Sequence, residues 1–90
     1  MELKRNLRIN NELGLHARAA ARTVELVRQY RSKLVFRKDD QEVDGSSILS
    51  ILTLACPKGS EIEARVTGED AEELMEKLVE LFERKSTENI

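Results

Sequence analysis

The 90-residue sequence is poor in residues that build disulfides or metal sites, with one histidine and one cysteine. A single cysteine, Cys56, excludes an internal disulfide, so we expect a buried, inert thiol and a cytoplasmic location. One histidine and one cysteine are too few for a zinc site, which needs three or four ligands. No cofactor-binding motif is recognisable. We therefore expect neither a metal nor a cofactor.

Long apolar segments are also absent. No apolar run approaches the ~20 residues of a membrane span, and the first residues, MELKRNLRIN, lack the apolar centre of a secretory signal. We therefore expect no insertion into a membrane. The length suits one small domain, expected over residues 1–84, with a frayed tail at 85–90. A domain of this size has no room for a deep cavity, so its site should lie on the surface and be completed by a partner.

Aromatic residues are few, and they disfavour an RNA-binding domain. Such a domain stacks bases on aromatic side chains of its sheet, whereas the chain has only Tyr30, Phe36 and Phe82. Charge is unevenly spread, with a balance of +6 over residues 1–37 and −8 over residues 38–90. The basic part could attract an acidic partner or an anion, or the two parts could pair internally. We expect no nucleic-acid partner.

Hydrophobic periodicity predicts seven elements in the order βαββαβα. Strands are expected at 3–9, within 32–38, as a short return within 39–45, and at 60–68. Helices are expected from 17 to about 30, within 46–55, and within 68–84. Strands with one apolar face and helices with one apolar stripe predict an α+β fold. Its architecture would be an open-faced two-layer sandwich, a four-stranded antiparallel sheet with three helices on one face.

The first two helices differ in how much apolar surface they carry. The first has one stripe, at Ala20, Val24, Val27 and Arg31, opposite a polar side that holds Arg18, Arg22, Glu25 and Arg28. The second begins at a cap formed by Ser46 or Ser47. Its apolar residues cover most of its circumference: Ile48, Leu49, Ile51, Leu52 and Leu54. Either all of them are core, or some face a partner.

The only histidine, His16, stands where a loop meets the first helix, in the segment GLHARAA. Gly14 permits an unusual turn, and His16 would then be the N-cap. The first N–H groups of a helix have no intrahelical partner and form an anion site, to which Arg18 adds a guanidinium. That positive surrounding should keep the imidazole neutral and nucleophilic near pH 7. The pattern predicts a phosphorylatable histidine, or alternatively a histidine that only caps the helix.

Two segments, GLHARAA and VDGSSILSILTLACPKGSEIEARVTGEDAEEL, resemble the HPr family over roughly residues 3–84. These are the histidine-containing phosphocarrier proteins of the bacterial phosphoenolpyruvate-dependent sugar phosphotransferase system. The resemblance implies that His16 accepts a phosphoryl group at Nδ1 from phosphorylated enzyme I and donates it to enzyme IIA. The protein would be a monomeric carrier rather than a free-standing enzyme. Arg18 and the backbone amides of Ala17, Arg18 and Ala19 would hold the phosphoryl oxygens.

The resemblance also implies a docking surface and a regulatory site. The short second helix would dock on enzyme I and enzyme IIA through the residues Ala17, Arg22, Ile48, Leu49 and Leu52. Ser47 aligns with the serine that HPr kinase/phosphorylase modifies in many bacteria, or it is a plain N-cap. Ser46 stands where the family commonly has lysine, which leaves recognition by that kinase open.

Two further departures from the family lie close to the histidine. Ala19 replaces a common proline and restores an N–H group, so we expect an extra donor toward phosphate or a longer-lived phosphohistidine. Leu13 replaces a residue that is often polar. The alternative function is a regulatory homologue that acts mainly through protein binding, either of the nitrogen-branch type or phosphorylated at Ser47. A Crh-like protein lacks the active histidine, so His16 disfavours that type.

Overall fold

A computed structural model describes residues 1–83 and contains one antiparallel sheet. Its strands are β1 (Glu2–Arg8), β2 (Lys33–Lys38), β3 (Gln41–Asp44) and β4 (Glu61–Thr67). The order across the sheet is β1-β4-β2-β3. The helices are α1 (Ala17–Val27), α2 (Ile48–Leu52) and α3 (Ala71–Glu83). The predicted βαββαβα order and α+β class are confirmed.

The core lies between one face of the sheet and the helices. Leu34 of β2 stands opposite Val66 of β4, and Phe36 stands opposite Ala64, so the two central strands offer an apolar face. Helix α3 covers β1 and β4, and its Phe82 ring lies 5.9 Å from the ring of Phe36. Alternate side chains of a strand point to opposite sides, and the other face of the sheet carries mostly charged and polar residues together with the half-buried Val35.

Helix α1 begins at the predicted residue but ends earlier than predicted. Ala20, Val24 and Val27 are buried, as their spacing indicated. The helix ends at Val27 rather than near Tyr30, and Arg31, which was assigned to the apolar stripe, is exposed. The assignment of Arg31 to the stripe was wrong because residues 31–32 are no longer helical and contact the residues just before α3.

The contact that draws residues 31–32 away from the helix is made by Asp70. The backbone N–H groups of Arg31 and Ser32 each donate to its carboxylate at 2.9 Å, and the Ser32 hydroxyl donates at 2.5 Å. The Arg31 guanidinium also lies 2.9 Å from the carboxylate of Glu69. Glu69 lies 38 positions beyond Arg31, and Asp70 lies 38 positions beyond Ser32, so no local sequence pattern indicated these contacts.

The remaining elements match their predictions closely. The buried stripe of α3 comprises Ala71, Leu74, Met75, Leu78 and Phe82. Ile9 is buried one residue beyond β1, where its N–H donates to the Ser60 carbonyl at 2.9 Å. The predicted tail at 85–90 and the last domain residue, 84, lie outside the described residues. No helix within residues 1–83 is long and apolar enough to cross a membrane.

Candidate functional site

A tight turn at Asn11–Gly14 leads to the histidine. The Gly14 N–H donates to the Asn11 carbonyl at 2.9 Å, and the Leu13 N–H donates to Asn11 Oδ1 at 3.0 Å. Gly14 has a φ of 72°, and a Cβ there would lie 2.4 Å from the carbonyl oxygen of Cys56. Both the positive φ and the close approach require glycine. The turn therefore packs directly on the segment that follows α2.

Leu15 then fixes the position at which α1 begins. Its side chain is buried, and its N–H donates to the Cys56 carbonyl at 2.8 Å. His16 follows as the N-cap, with an extended backbone (φ −88°, ψ −176°), and its carbonyl accepts from the Ala20 N–H at 2.9 Å. The predicted place of His16, at the junction of loop and helix, is confirmed. No sequence pattern indicated that a backbone carbonyl of Cys56 would support it.

The start of α1 is open to an anion. No side chain caps it, and no acidic residue lies in its first turn. Within residues 1–83, the N–H groups of Ala17, Arg18 and Ala19 donate to no acceptor. Unpaired amides at the positive end of the helix dipole attract negative charge. Such an uncapped helix start can bind an anion next to His16.

The imidazole of His16 is partly exposed, but its two nitrogens differ. Nδ1 is covered by protein atoms and has no hydrogen-bond partner among residues 1–83, whereas Nε2 is not covered. A covered nitrogen cannot meet a phosphoryl donor in line. In this orientation of the ring, an incoming group reaches Nδ1 only after the ring turns about its side-chain torsions. Nothing in the sequence indicates which way the ring faces.

Two arginines of α1 lie on its exposed face, one turn apart. Arg18 and Arg22 are both exposed, and neither forms an ion pair with a carboxylate in residues 1–83. Ala17 is exposed beside them, whereas the Ala19 side chain is buried. The two guanidinium groups are therefore free to bind an anion or an acidic surface.

Helix α2 packs against α1 and adds an apolar surface. Leu49 is 77% exposed and Ile48 is 38% exposed, whereas Leu52 is half-buried. Ile51 is fully buried. The interpretation that all of these residues belong to the core is therefore wrong for Ile48 and Leu49. We call the residues that were predicted to contact partners the docking patch: Ala17, Arg22, Ile48, Leu49 and Leu52.

The start of α2, unlike that of α1, is capped. The Ser50 N–H donates to Ser47 Oγ at 3.2 Å, so Ser47 rather than Ser46 is the N-cap. Ser46 is exposed, and its N–H and hydroxyl donate to Asp44 Oδ1 at 2.9 and 2.7 Å. These two hydrogen bonds lower the pKa of the Asp44 carboxyl. The half-buried Ser47 hydroxyl already has a structural role.

Cys56 lies beneath the histidine loop. Its thiol is buried, as predicted, and burial raises the pKa of the Cys56 thiol. The contribution of Cys56 to the site is made by its backbone, which contacts Gly14 and accepts a hydrogen bond from Leu15. No group of three His, Cys, Asp or Glu side chains within residues 1–83 could hold a metal ion.

Comparison with known proteins places these features in a family. The family model described as "PTS HPr component phosphorylation site" matches residues 3–84. The phosphocarrier protein HPr of Xylella fastidiosa is 37% identical over 97% of this chain and 98% of its own. HPr of Neisseria meningitidis is 39% identical over 89% of this chain and 90% of its own. The phosphocarrier protein NPr of Escherichia coli is 34% identical over 91% of this chain and 92% of its own.

Solved structures agree with this result. The HPr-C-His structure from Thermoanaerobacter tengcongensis superposes with a TM-score of 0.87 at 34% identity, over 92% of this chain and 93% of that one. HPr from Bacillus anthracis gives a TM-score of 0.86 at 30% identity, over 91% of this chain and 98% of that one. Sequence, fold and the histidine at the helix start therefore lead to one conclusion. The chain belongs to the PTS-HPr family of phosphocarrier proteins.

Proposed function

We propose that this protein carries a phosphoryl group on Nδ1 of His16. It accepts the group from enzyme I, which is charged by phosphoenolpyruvate, and passes it to a histidine of enzyme IIA during sugar uptake. The observation that carries the proposal is the open start of α1, where His16 is the N-cap and three amides have no acceptor within residues 1–83. The protein is a cytoplasmic carrier with one domain over residues 1–84.

Each transfer exchanges one nitrogen–phosphorus bond for another. The Nδ1 lone pair attacks phosphorus and forms a bond, while the bond to the donor nitrogen breaks and its electron pair returns to the donor ring. This step requires a neutral imidazole whose proton is on Nε2. The uncovered Nε2 of His16 can carry that proton in water. Turning of the ring then brings Nδ1 out to the partner.

The start of α1 and Arg18 stabilise the transferred group. A phosphoryl group in transfer spreads negative charge over three oxygens, which fixed donors stabilise without having to reorganise. The backbone amides of Ala17, Arg18 and Ala19 are such donors. The Arg18 guanidinium adds a charge-assisted hydrogen bond. Because these groups lie at the surface, a partner must exclude water from them during transfer.

The docking patch explains how partners bind briefly. Ile48, Leu49 and Leu52 offer apolar contact area next to the cationic side chains of α1. An apolar centre with a charged rim suits a transient complex, in which charge speeds encounter and apolar contact holds the partner. The surfaces of enzyme I and enzyme IIA that meet Arg18 and Arg22 are therefore expected to be acidic.

The test is incubation of the protein with enzyme I and labelled phosphoenolpyruvate. We expect an acid-labile, base-stable label that His16→Ala abolishes. Arg22→Ala should raise the KM for this protein, whereas Arg28→Ala, another exposed arginine of the same helix region, is the matched control and should not. A wild-type protein that stays unlabelled, or a label that survives His16→Ala, would contradict the proposal.

A nitrogen-branch carrier is the second candidate, because NPr of Escherichia coli matches almost the whole chain. That carrier would take its phosphoryl group from the nitrogen-branch enzyme I and act mainly by binding regulatory proteins. The two candidates are separated by comparing the rates of labelling by the two types of enzyme I. A rate at least tenfold higher with the nitrogen-branch enzyme would favour the second candidate.

Phosphorylation of Ser47 by HPr kinase/phosphorylase would regulate either carrier. The added phosphate would lie at the start of α2, where the dipole tolerates it, and would bring negative charge next to Ile48 and Leu49. The expected result is an ATP-dependent serine label that Ser47→Ala removes and that slows transfer from enzyme I. A label on Ser46 instead would contradict this assignment.

A further inference from the structure

Leu13 is an apolar side chain that the fold holds in water. It is 71% exposed, whereas Leu15, two residues later, is 6% exposed. Both are leucines of the loop before His16, but only Leu15 is needed by the core. Single exposed leucines are common on protein surfaces, so the role of Leu13 has to be argued from where the residue lies.

The turn that carries Leu13 is rigidly built. Asn11 is buried, and its backbone carbonyl and its side-chain oxygen both accept hydrogen bonds within the turn. The neighbouring Glu12 forms an ion pair with Lys58, and Gly14 packs on the backbone of Cys56. Leu13 thus lies in a well-ordered turn, because the residues on both sides of it make defined contacts.

Leu13 also lies within the area that a partner must cover. Leu13 and His16 are three positions apart along the chain, so their two Cα atoms are at most about 10 Å apart. A specific interface buries about 800 Å² on each partner, which corresponds to a disc about 16 Å in radius. A partner centred on His16 would therefore cover Leu13. The turn packs on the backbone of Cys56 and Pro57, in the segment that follows α2.

We infer that Leu13 is an apolar anchor for enzyme I, the protein that donates the phosphoryl group to His16, an inference that rests on the proposed function. The partner has an apolar surface opposite Leu13, next to the acidic surface that meets Arg18 and Arg22. A partner with a polar group at that point would lose hydration without gaining a hydrogen bond. Leu13 therefore selects among related partners as well as binding the right one.

The experiment compares wild type, Leu13→Ser and Leu13→Met in transfer from the enzyme I of the same organism. Leu13→Ser should raise the KM about tenfold, a factor that corresponds to about 1.4 kcal/mol, with kcat unchanged. Leu13→Met keeps an apolar side chain and should restore most of the wild-type KM. The melting temperature of both variants should match wild type, because the side chain is exposed. An unchanged KM in Leu13→Ser, or a lower melting temperature, would overturn the inference.

Phosphoramidate, a small phosphoryl donor that needs no docking, separates this inference from the proposed function. It should phosphorylate His16 at the same rate in wild type and in Leu13→Ser. A slower reaction of the variant with this donor would mean that Leu13 acts on the histidine itself, which contradicts an anchoring role. If enzyme I labels no histidine in wild type, the proposed function fails first, and the role of Leu13 fails with it.

Discussion

The starts of α1 and α2 have similar backbone geometry, but only the start of α2 is capped by a side chain. Each follows an N-cap residue with an extended backbone, His16 in one case and Ser47 in the other. The Ser47 hydroxyl accepts from the Ser50 N–H, whereas the His16 ring accepts no such bond. A short hydroxyl side chain can fold back onto its own helix. A different side chain at the same position leaves the amides available to an external anion.

Helix α3 belongs with α2 in this comparison. Its first turn contains Glu72 and Glu73, which complement the helix dipole with charge from the chain itself. Among the helices within residues 1–83, α1 alone has neither a side-chain cap nor an acidic residue at its start. The one helix start that is left without a cap or an acidic residue is therefore the one that we propose binds the phosphoryl group.

The largest effect is expected from Gly14→Ala, which displaces the open helix end. The new Cβ would lie 2.4 Å from the Cys56 carbonyl oxygen, and the φ of 72° disfavours alanine. Strain and overpacking together should lower the free energy of unfolding by about 2–4 kcal/mol. Urea denaturation measures the loss, and phosphorylation of His16 should slow as the ring moves.

Gly59→Ala is the matched control for that variant. Gly59 also has a positive φ, 92°, but nothing lies within 4 Å of the position that a Cβ would take there. Only the backbone strain remains, so the cost should be about 1 kcal/mol, with phosphorylation unchanged. Equal costs at the two glycines would show that the contact between Gly14 and Cys56 does not position the helix.

The next effect concerns Asp70, which precedes α3 and holds residues 31–32. The Ser32 hydroxyl and the Arg31 N–H lower the pKa of Asp70. A carboxyl whose pKa is lower in the folded state stabilises the fold above its unfolded-state pKa, near 4. That contribution is lost as the pH falls through the folded-state pKa. Melting temperatures between about pH 7 and about pH 2 should therefore fall less steeply for Asp70→Asn than for wild type.

Asp70→Asn should also be less stable than wild type near neutral pH, because an amide accepts the three hydrogen bonds less well. Asp40→Asn, an exposed aspartate in the hairpin turn, is the control and should follow the wild-type curve. If wild type and Asp70→Asn lose the same stability in acid, the carboxylate does not hold the two segments together.

A smaller effect on stability is expected when α1 is given an N-cap serine and α2 loses its own. His16→Ser gives α1 the kind of cap that α2 has, so it should be more stable than His16→Ala by about 1 kcal/mol. Ser47→Ala opens α2 and should cost about 1 kcal/mol. Neither His16 variant should accept phosphate. Equal stability of His16→Ser and His16→Ala would mean that the geometry of α1, rather than its N-cap side chain, keeps the end open.

The smallest effect is expected at Ala19, whose N–H is one of the three free donors. Ala19→Pro removes that donor, so the phosphohistidine should hydrolyse about threefold faster, in line with one lost hydrogen bond. Ala19→Ser keeps the N–H group and serves as the control. Hydrolysis at the wild-type rate in Ala19→Pro would show that this amide does not contact the phosphoryl group.

Much of the fold could be predicted from the sequence because its signals are local. Alternation in residues 61–67 and the apolar stripe of α3 depend only on neighbours along the chain. His16 was recognisable for the same reason, since glycine, cap position and arginine lie within five residues. The excess of apolar residues in α2 was also local, and it led to the exposed Ile48 and Leu49.

The features that were missed depend on distant contacts. The Cys56 carbonyl supports Leu15 across 41 residues, and Asp70 bonds to Ser32 across 38. The type of side chain at position 56 does not indicate what its backbone carbonyl will accept. An acidic residue at the start of a helix is explained by the helix dipole alone, so its long-range contact is not expected. Arg31 was assigned to the core by spacing alone, because the competing carboxylates of Glu69 and Asp70 lie far along the chain.

The sheet order has a consequence for how the protein is made. Leu7 of β1 pairs with Ile62 of β4, although 55 residues separate them. A ribosome adding about 5–20 residues each second needs about 3–11 s to make that stretch. During this time the newborn first strand has no neighbour to bond with. Its charged side chains, Lys4, Arg5 and Arg8, then help to keep it from sticking to other unfinished chains.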